Sequence, residues 1–393
     1  MGDLGPTGGN PFEGVPFFAD LAKLLGGQGG GGLEAARQLA QQLASGGETE
    51  ANPDPAERIR LEALTRVAEL RVADLTGLPV SVTGRPVSIV PVTRGEWARR
   101  TLDAYRPYLE RLSGSLSGPG AMGLPDGDAD PTSAMLGGLL SMMGPMLFGM
   151  QSGAMVGQLG ARSLGQYDLP LPRPASDELV IVSANVDAFG EEWSLPPDDV
   201  RLWLCLSELA THAVLGVPHV RERIESLVLE HAGAFRVDPT ALQERIGTVD
   251  PTDLAGLQEA LGDPTALLGA IQSPEQRALL PRLSAIVDVV VGYVDWVRDT
   301  AGDGLIGTYP MLTEALRRRR VEATEADRFV ERLFGLELGR VRYERGEAFI
   351  AGVAERAGTE GLARLWSSVE VLPTPAEVDA PGLWLARIDL ATD

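Results

Sequence analysis

Residues 203–212 read Trp203-Leu204-Cys205-Leu206-Ser207-Glu208-Leu209-Ala210-Thr211-His212, in the middle of a stretch that we interpret as one helix, Asp199–Gly216. A glycine at the end of an apolar run, followed two residues later by Pro218, is typical of a helix terminus. Residues four apart on a helix share a face, so Ser207 and Thr211 project together, as do Glu208 and His212.

The spacing of Ser207, Glu208 and Thr211 is that of the H-E-x-x-H motif. In that motif two histidines at i and i+4 bind zinc, and the glutamate beside the first histidine activates a water. Ser207 and Thr211 stand at the two histidine positions, and only the glutamate remains. Hydroxyls are poor zinc ligands compared with imidazole, and a glutamate without a metal-bound water has nothing to activate. We therefore predict that Glu208 is a motif remnant and that this helix binds no metal.

The composition is that of a globular protein with an acidic surface. The chain has 393 residues, a hydrophobic fraction of 44% and a net charge of −21. This size allows one large domain or two ordinary ones. The negative charge argues against DNA or RNA as a partner, because phosphates would be repelled. Cys205 is the only cysteine, and its place in an apolar helical run predicts a buried, inert thiol.

The location of the protein is predicted from its first residues and its cysteine content. The chain begins without a basic segment followed by an apolar one, so we expect no secretion signal. A single cysteine allows no intramolecular disulfide, which fits a reducing compartment. Both features predict a cytoplasmic protein.

Two regions divide the chain. Residues 1–53 are rich in Gly, Gln and Ala, and we predict a flexible Gly-rich N-terminal arm with two short amphipathic pieces, Pro16–Leu25 and Leu33–Leu43. A helix cap at Asp54, with Pro55 at the first helical position, begins the folded part. Residues 54–393 are predicted to form one domain, with an internal Gly/Pro/Asp linker at 114–132.

One uncharged stretch, Pro131–Ala161, is long enough to span a bilayer. It is rich in Gly and Met, contains Pro145, and lacks an aromatic belt or flanking basic residues. We favour a buried helical hairpin, and membrane association is the alternative.

The pattern predicts a mainly α-helical fold with a small β element (α+β). Residues Pro79–Val92 are interpreted as a short hairpin or edge strands, and Leu179–Ser183 as a buried strand. Capping residues at Thr93 open a further helix. After these, Pro and Gly separate a series of helices: Asp199–Gly216, Pro218–Ala234, Pro239–Gly247, Thr252–Leu261, Pro264–Ile271, Pro274–Asp299, Tyr309–Arg319, Glu325–Leu336, Gly339–Ala357 and Glu360–Ser367.

Several local patterns, in this order and spacing, resemble a bacterial zincin-like family of hydrolases or zinc-dependent metallopeptidases, some of whose members are associated with biosynthesis of the deazaflavin redox coenzyme. The resemblance covers roughly residues 55–390. It is carried by Leu164–Asp168, Trp203–His212, Pro218–Arg221, Gly292–Asp299, Arg317–Arg319, Leu333–Glu337, Tyr343–Phe349, Leu365-Trp366, Leu372–Thr374 and Pro381–Trp384.

The resemblance implies a zincin-like helical domain and a zinc cofactor. In relatives that retain the motif, the two histidines correspond to Ser207 and Thr211, and a glutamate suited to be a third ligand corresponds to Val291, followed by Gly292. All three ligand positions are therefore altered, at separate places in the chain. We predict that zinc, expected in the family, is absent here.

A shifted site is the alternative on the same helix. A register one residue later makes Glu208 the first ligand and His212 the second, with Leu209 where the water-activating glutamate belongs. Joined by Asp288 or Asp295, these two residues would bind a divalent metal weakly. With Asp295 they also form the candidate site of an unorthodox hydrolase. The simpler interpretation is a partly buried hydrogen-bonded pair of Glu208 and His212, left on the former site helix as a pH-sensitive contact.

These observations predict a pseudoenzyme, a non-catalytic binding protein whose former active-site cleft takes a peptide or protein partner. An active hydrolase with an atypical site around Glu208 and His212 is one alternative. A membrane-associated scaffold using Pro131–Ala161 and the N-terminal arm is the other. The run Arg317–Arg320 is predicted to be a solvated helix face that forms ion pairs with neighbouring acids.

Overall fold

The computed structural model describes residues 31–117, 149–235 and 273–390. The predicted helices Pro239–Gly247, Thr252–Leu261 and Pro264–Ile271 lie outside these ranges, as do residues 118–132 of the predicted linker. The elements in chain order are α1 (Gly31–Ala44), α2 (Pro55–Thr76), β1 (Ser88–Val92), α3 (Arg94–Ser117), a helical segment at 149–160, β2 (Glu178–Val182), α4 (Ser183–Glu192), α5 (Pro197–Gly216), α6 (Pro218–Gly233), α7 (Pro274–Gly302), α8 (Tyr309–Val321), α9 (Glu325–Phe334), α10 (Arg340–Ala363), α11 (Pro375–Val378) and α12 (Pro381–Leu390).

Helices therefore dominate the described residues, and the predicted mainly α fold with a small β element is confirmed. Local signals set many of the boundaries. The Asp54 carboxylate accepts a hydrogen bond from the backbone N of Ala56 at 2.8 Å, and α2 begins at Pro55. The Thr93 hydroxyl likewise accepts from the backbone N of Glu96 at 3.1 Å at the start of α3. Both contacts satisfy amide groups that have no partner inside the helix.

The β element is a pair of parallel strands. β1 pairs with β2 in register from Ser88 opposite Glu178 to Val92 opposite Val182. Within Pro79–Val92 only Ser88–Val92 is a strand, and its partner is β2, so the stretch supplies one edge strand and no hairpin. Parallel strands such as these need a crossover and cannot be joined by a tight turn. The crossover includes α3.

Helix α1 lies within the stretch predicted to be a flexible arm, yet it packs on α3 and on the 149–160 segment. Ala36 and Ala40 are buried in this contact. A Cβ atom on Gly153 would lie 2.4 Å from the carbonyl oxygen of Ala36, so the two helix backbones touch. Small residues on both helices allow this approach, and the described fold begins at α1 rather than at Asp54. Residues 1–30 lie outside the described residues.

Helices α5, α7 and α10 form the centre of the fold, because α7 packs against both others and α5 also packs on α2. The crossing of α7 and α10 is close. A Cβ atom on Gly292 would lie 2.4 Å from the carbonyl group of Gly346, and one on Gly346 would lie 2.1 Å from the carbonyl oxygen of Asp288. No side chain fits at this point, so backbone rests on backbone.

Among the described residues, no single helix has the length and hydrophobicity needed to cross a membrane. Helices α5 and α6 have the required length and hydrophobicity only when taken together, and the chain bends by 87° between them.

Candidate functional site

A pocket of about 210 Å³ lies between α5, α7, α8 and the loop that precedes β2. Ser207 and Thr211 of α5 line it, and so does Val291 of α7, from the facing helix. Glu208 also contributes to the wall. The three positions that the resemblance predicts as altered metal ligands therefore line one pocket, although 80 residues or more separate Val291 from the other two.

The side chains at these positions do not fit a zinc ion. The Thr211 hydroxyl donates a hydrogen bond of 2.8 Å to the carbonyl oxygen of Ser207, and Val291 has no donor atom. The Ser207 hydroxyl is buried with no hydrogen-bond partner among the described residues, and a neutral hydroxyl is a weak ligand. Within residues 31–117, 149–235 and 273–390, no three His, Cys, Asp or Glu side chains are grouped so as to hold a metal ion.

The Glu208 carboxylate is held by the loop before β2. The backbone N of Gln166 donates to Oε2 at 3.0 Å, and the backbone N of Tyr167 donates to Oε1 and Oε2 at 3.2 and 3.1 Å. The side chain is buried, and burial, together with the nearby Asp168 carboxylate, raises its pKa to about 8. Glu208 thus binds the backbone of a neighbouring loop, a role that no sequence pattern indicated.

The loop itself is fixed from several sides. Asp168 accepts hydrogen bonds from the backbone N of Leu164 at 3.0 Å and of Gly165 at 3.1 Å. The indole Nε1 of Trp97 donates to the carbonyl oxygen of Gly165 at 2.8 Å, and Gly165 forms an antiparallel bridge with Ile181 of β2. These contacts make the loop a rigid wall of the pocket.

His212 lies behind this wall and does not line the pocket. Its Nδ1 is 2.9 Å from the hydroxyl of Tyr167, and its Nε2 is 3.7 Å from Oδ1 of Asp177. Burial lowers the pKa of the imidazole. The predicted hydrogen bond between a partly buried Glu208 and His212 is therefore wrong, and both side chains are fully buried. Tyr167 lies between them: its backbone N donates to Glu208, and its hydroxyl contacts His212.

Asp288 and Asp295, the two residues predicted to complete a shifted metal site, form no metal-binding group with Glu208 or His212 among the described residues. Asp288 faces α10, where its carboxylate pairs with Arg345 at 2.8 Å. Asp295 lines the pocket but is bound by Arg298 at 2.6 Å and by Arg320 at 2.7 Å.

The run Arg317–Arg320 divides into two pairs. Arg317 and Arg318 are exposed and pair with Glu314 on the same helix, as predicted. Arg319 and Arg320 instead line the pocket, and the Arg320 guanidinium lies 3.9 Å from the ring centre of Tyr343. Helical periodicity does not predict this division, because residues three apart lie closer on a helix face than consecutive residues do; the contacts of Arg319 and Arg320 depend on the tertiary fold.

Cys205 has no access to solvent. Its thiol is 4.0 Å from the Thr65 hydroxyl, and burial raises its pKa to about 12. A thiol in this state is a poor nucleophile. The other two histidines lie elsewhere: His219 and His231 are both on α6, and neither lines the pocket.

Comparison with known proteins agrees with this geometry. The profile of the zincin-like metallopeptidase family matches residues 33–385. The crystal structure of a "putative hydrolase with a novel fold" from Chloroflexus aurantiacus is 25% identical in sequence, with a TM-score of 0.63, over 91% of this chain and 98% of that one. No curated protein sequence matches the chain. Because the family profile spans most of its length, the chain belongs to the zincin-like metallopeptidase family.

Proposed function

We propose that this chain is a zincin-like protein that has lost zinc binding and peptidase activity and that uses the former active-site pocket to bind a peptide or protein partner. The observation that carries the proposal is the convergence of Ser207, Thr211 and Val291 on one pocket. Two hydroxyls and an aliphatic side chain cannot replace two imidazoles and a carboxylate as zinc ligands.

The state of Glu208 supports the same conclusion. A general base needs a free lone pair directed at a water or substrate proton, and an ionised carboxylate at the working pH. Both oxygens of Glu208 accept backbone hydrogen bonds, and its pKa of about 8 keeps it largely protonated near neutral pH. The residue stabilises the pocket wall instead.

The proposal includes a partner and a location. A net charge of −21 disfavours nucleic acid. Since relatives in the family are peptidases, the ligand proposed for the pocket is a peptide or protein segment. We place the protein in the cytoplasm, since its one cysteine forms no disulfide within the described residues and has the character of a buried core residue.

Metal analysis of purified protein tests the proposal. The protein is dialysed against buffer with and without added zinc, and its metal content is measured by mass spectrometry beside a peptidase assay on a mixed peptide substrate. We expect less than stoichiometric zinc and no cleavage above that of a Glu208→Gln variant. Stoichiometric zinc that survives dialysis, or cleavage that the variant lacks, would contradict the proposal.

A further inference from the structure

We propose that the pocket at the former metal site anchors one neutral, apolar side chain of an extended peptide, of the leucine or phenylalanine class. This inference rests on the proposed function and names the ligand chemistry of that site. Four features of the described residues carry it: the size of the pocket, its wall, its charge balance and its unpaired polar groups.

The size of the pocket suits one large side chain. Its volume is about 210 Å³. An apolar cavity of about 150 Å³ is enough to hold a benzene molecule, whereas pockets for drug-sized ligands span roughly 300–1,000 Å³. The site is therefore large enough for a leucyl or phenyl group and too small for a whole cofactor.

Part of the pocket lining is aliphatic. Val290, Val291 and Val294 of α7 line the pocket together with Leu204 and Leu164. Val291 occupies the position where the family resemblance implies a carboxylate ligand. At this position a valine side chain, which packs favourably against an apolar ligand, replaces the carboxylate that would bind a cation.

Most of the charged groups that line the pocket form pairs, which disfavours a charged ligand. Glu208 and Glu331 instead accept backbone hydrogen bonds, and burial raises the pKa of Glu208 to about 8 and that of Glu331 to about 7. Asp295 lies between two arginines, and although burial acts to raise its pKa, Arg298 and Arg320 hold that pKa below its ordinary value. Two further acids form pairs of their own, Asp327 with Arg162 at 2.6 Å and Asp168 with Arg319 at 3.6 Å. A charged ligand would lose its hydration here without meeting an unpaired opposite charge among these groups.

Two polar groups of the wall suit a peptide backbone. Trp203 is 6% exposed and lines the pocket, and its indole Nε1–H has no hydrogen-bond partner among the described residues. The Ser207 hydroxyl is in the same state. Buried donors of this kind are stabilised by an acceptor, and a peptide carbonyl next to the anchored side chain supplies one.

An adjoining cleft leaves room for the rest of the peptide. A second pocket of about 670 Å³ lies between α7, α8 and α10. Five residues line both pockets and separate them: Asp295, Arg298, Leu316, Arg320 and Tyr343. A ligand that continues from the first into the second is elongated, as an extended peptide is.

Binding of short capped peptides to the full chain tests the inference. The probes are N-acetylated, C-amidated pentapeptides Ser-Gly-Xaa-Gly-Ser, with Leu, Phe, Gly, Asp or Lys at the central position, titrated by calorimetry and saturation-transfer NMR. We expect the Leu and Phe peptides to bind at least about tenfold more tightly than the other three. Val291→Asp should remove this preference and favour the Lys peptide.

Matched variants guard against misfolding. Val341→Asp places the same charge on an exposed valine of α10, outside both pockets, and should leave binding unchanged. Val291→Ile narrows the pocket without a charge and should weaken the Phe peptide more than the Leu peptide. The inference fails if none of the peptides binds at millimolar concentration, if Asp or Lys peptides bind best to the wild type, or if both Val291 variants bind as it does.

The same samples separate the two proposals. Mass spectra of the incubated peptides and the zinc content of the protein report on catalysis. Uncleaved peptides with no side-chain preference would overturn the anchor alone and leave the loss of peptidase activity standing. Cleaved peptides would overturn the proposed function itself.

Discussion

A Cβ atom on Gly165 would lie 2.2 Å from Oε1 of Glu208, so the Glu208 carboxylate can occupy its position only because residue 165 has no side chain. The absence of a side chain at Gly165 allows the backbone amides of Gln166 and Tyr167 to reach the carboxylate. The glutamate retained from the metal-binding motif thus has a structural partner in the loop, and this contact can be tested by substitution.

Gly165→Ala should lower the free energy of unfolding by about 1–3 kcal/mol, because the added methyl group collides with Glu208 or displaces the loop. Gly114→Ala is the matched control. Gly114 lies in α3, where a methyl group would have nothing within 4 Å, and alanine there should stabilise by about 0.5–1 kcal/mol. Urea denaturation measures both. Equal stabilities of Gly165→Ala and the wild type would refute the contact.

Glu208→Gln should change how stability depends on pH. The pKa of this carboxyl is about 8 in the fold, above its ordinary value of 4.5. Between these values the folded state binds the extra proton, so the contribution of Glu208 is full below pH 4.5 and is lost as pH rises through 8. The wild type should lose up to about 1 kcal/mol per pH unit more than the variant across this interval. Urea denaturation at several pH values measures both slopes, and parallel slopes would contradict the burial of this proton.

A zinc site should be restorable. Ser207→His, Thr211→His and Val291→Glu together place two imidazoles and a carboxylate around one pocket, and we expect stoichiometric zinc in that variant. The double variant without Val291→Glu should bind more weakly. Metal content and calorimetry measure both, with circular dichroism to confirm folding. A folded triple variant without zinc affinity would show that the three positions do not face one another as described.

The ion pair between α7 and α10 should contribute strongly to stability. The Asp288 side chain is 1% exposed, and Arg345 is its closest partner. Arg345→Met should cost roughly 1–3 kcal/mol, since the buried carboxylate keeps only its longer contact with Arg342, at 3.4 Å. Adding Asp288→Leu should recover much of the loss. Asp379→Asn, which removes the exposed partner of Arg345, should change stability little. Thermal unfolding compares the four proteins, and an unaffected single variant would count against the pair.

Local signals in the sequence predicted much of the helical framework. Capping residues at Asp54 and Thr93 marked helix starts to within a residue. The predicted gap between Ala357 and Glu360 coincides with Gly358, whose φ of 63° interrupts α10. These features depend on neighbours within a few positions, which is why a single sequence reveals them.

The contacts around the site depend on residues far apart in the chain, and the sequence predicted fewer of them. The convergence of Ser207, Thr211 and Val291 followed from the motif and the family resemblance. The binding of Glu208 by a loop some 40 residues earlier did not, because backbone amides carry no sequence signature. The parallel pairing of β1 with β2 was also missed, since strand partners are set by the tertiary fold.

The Gly292–Gly346 crossing makes one side of the pocket stiff. At this crossing the two backbones are in contact, and no side chain lies between them whose rotation would allow α7 to slide along α10. Val291, one residue before the crossing, is anchored to the C-terminal helices. Under the proposed function, adjustment to ligands of different shape falls to α8 and its arginines, and the rate of ligand exchange should follow the mobility of that helix.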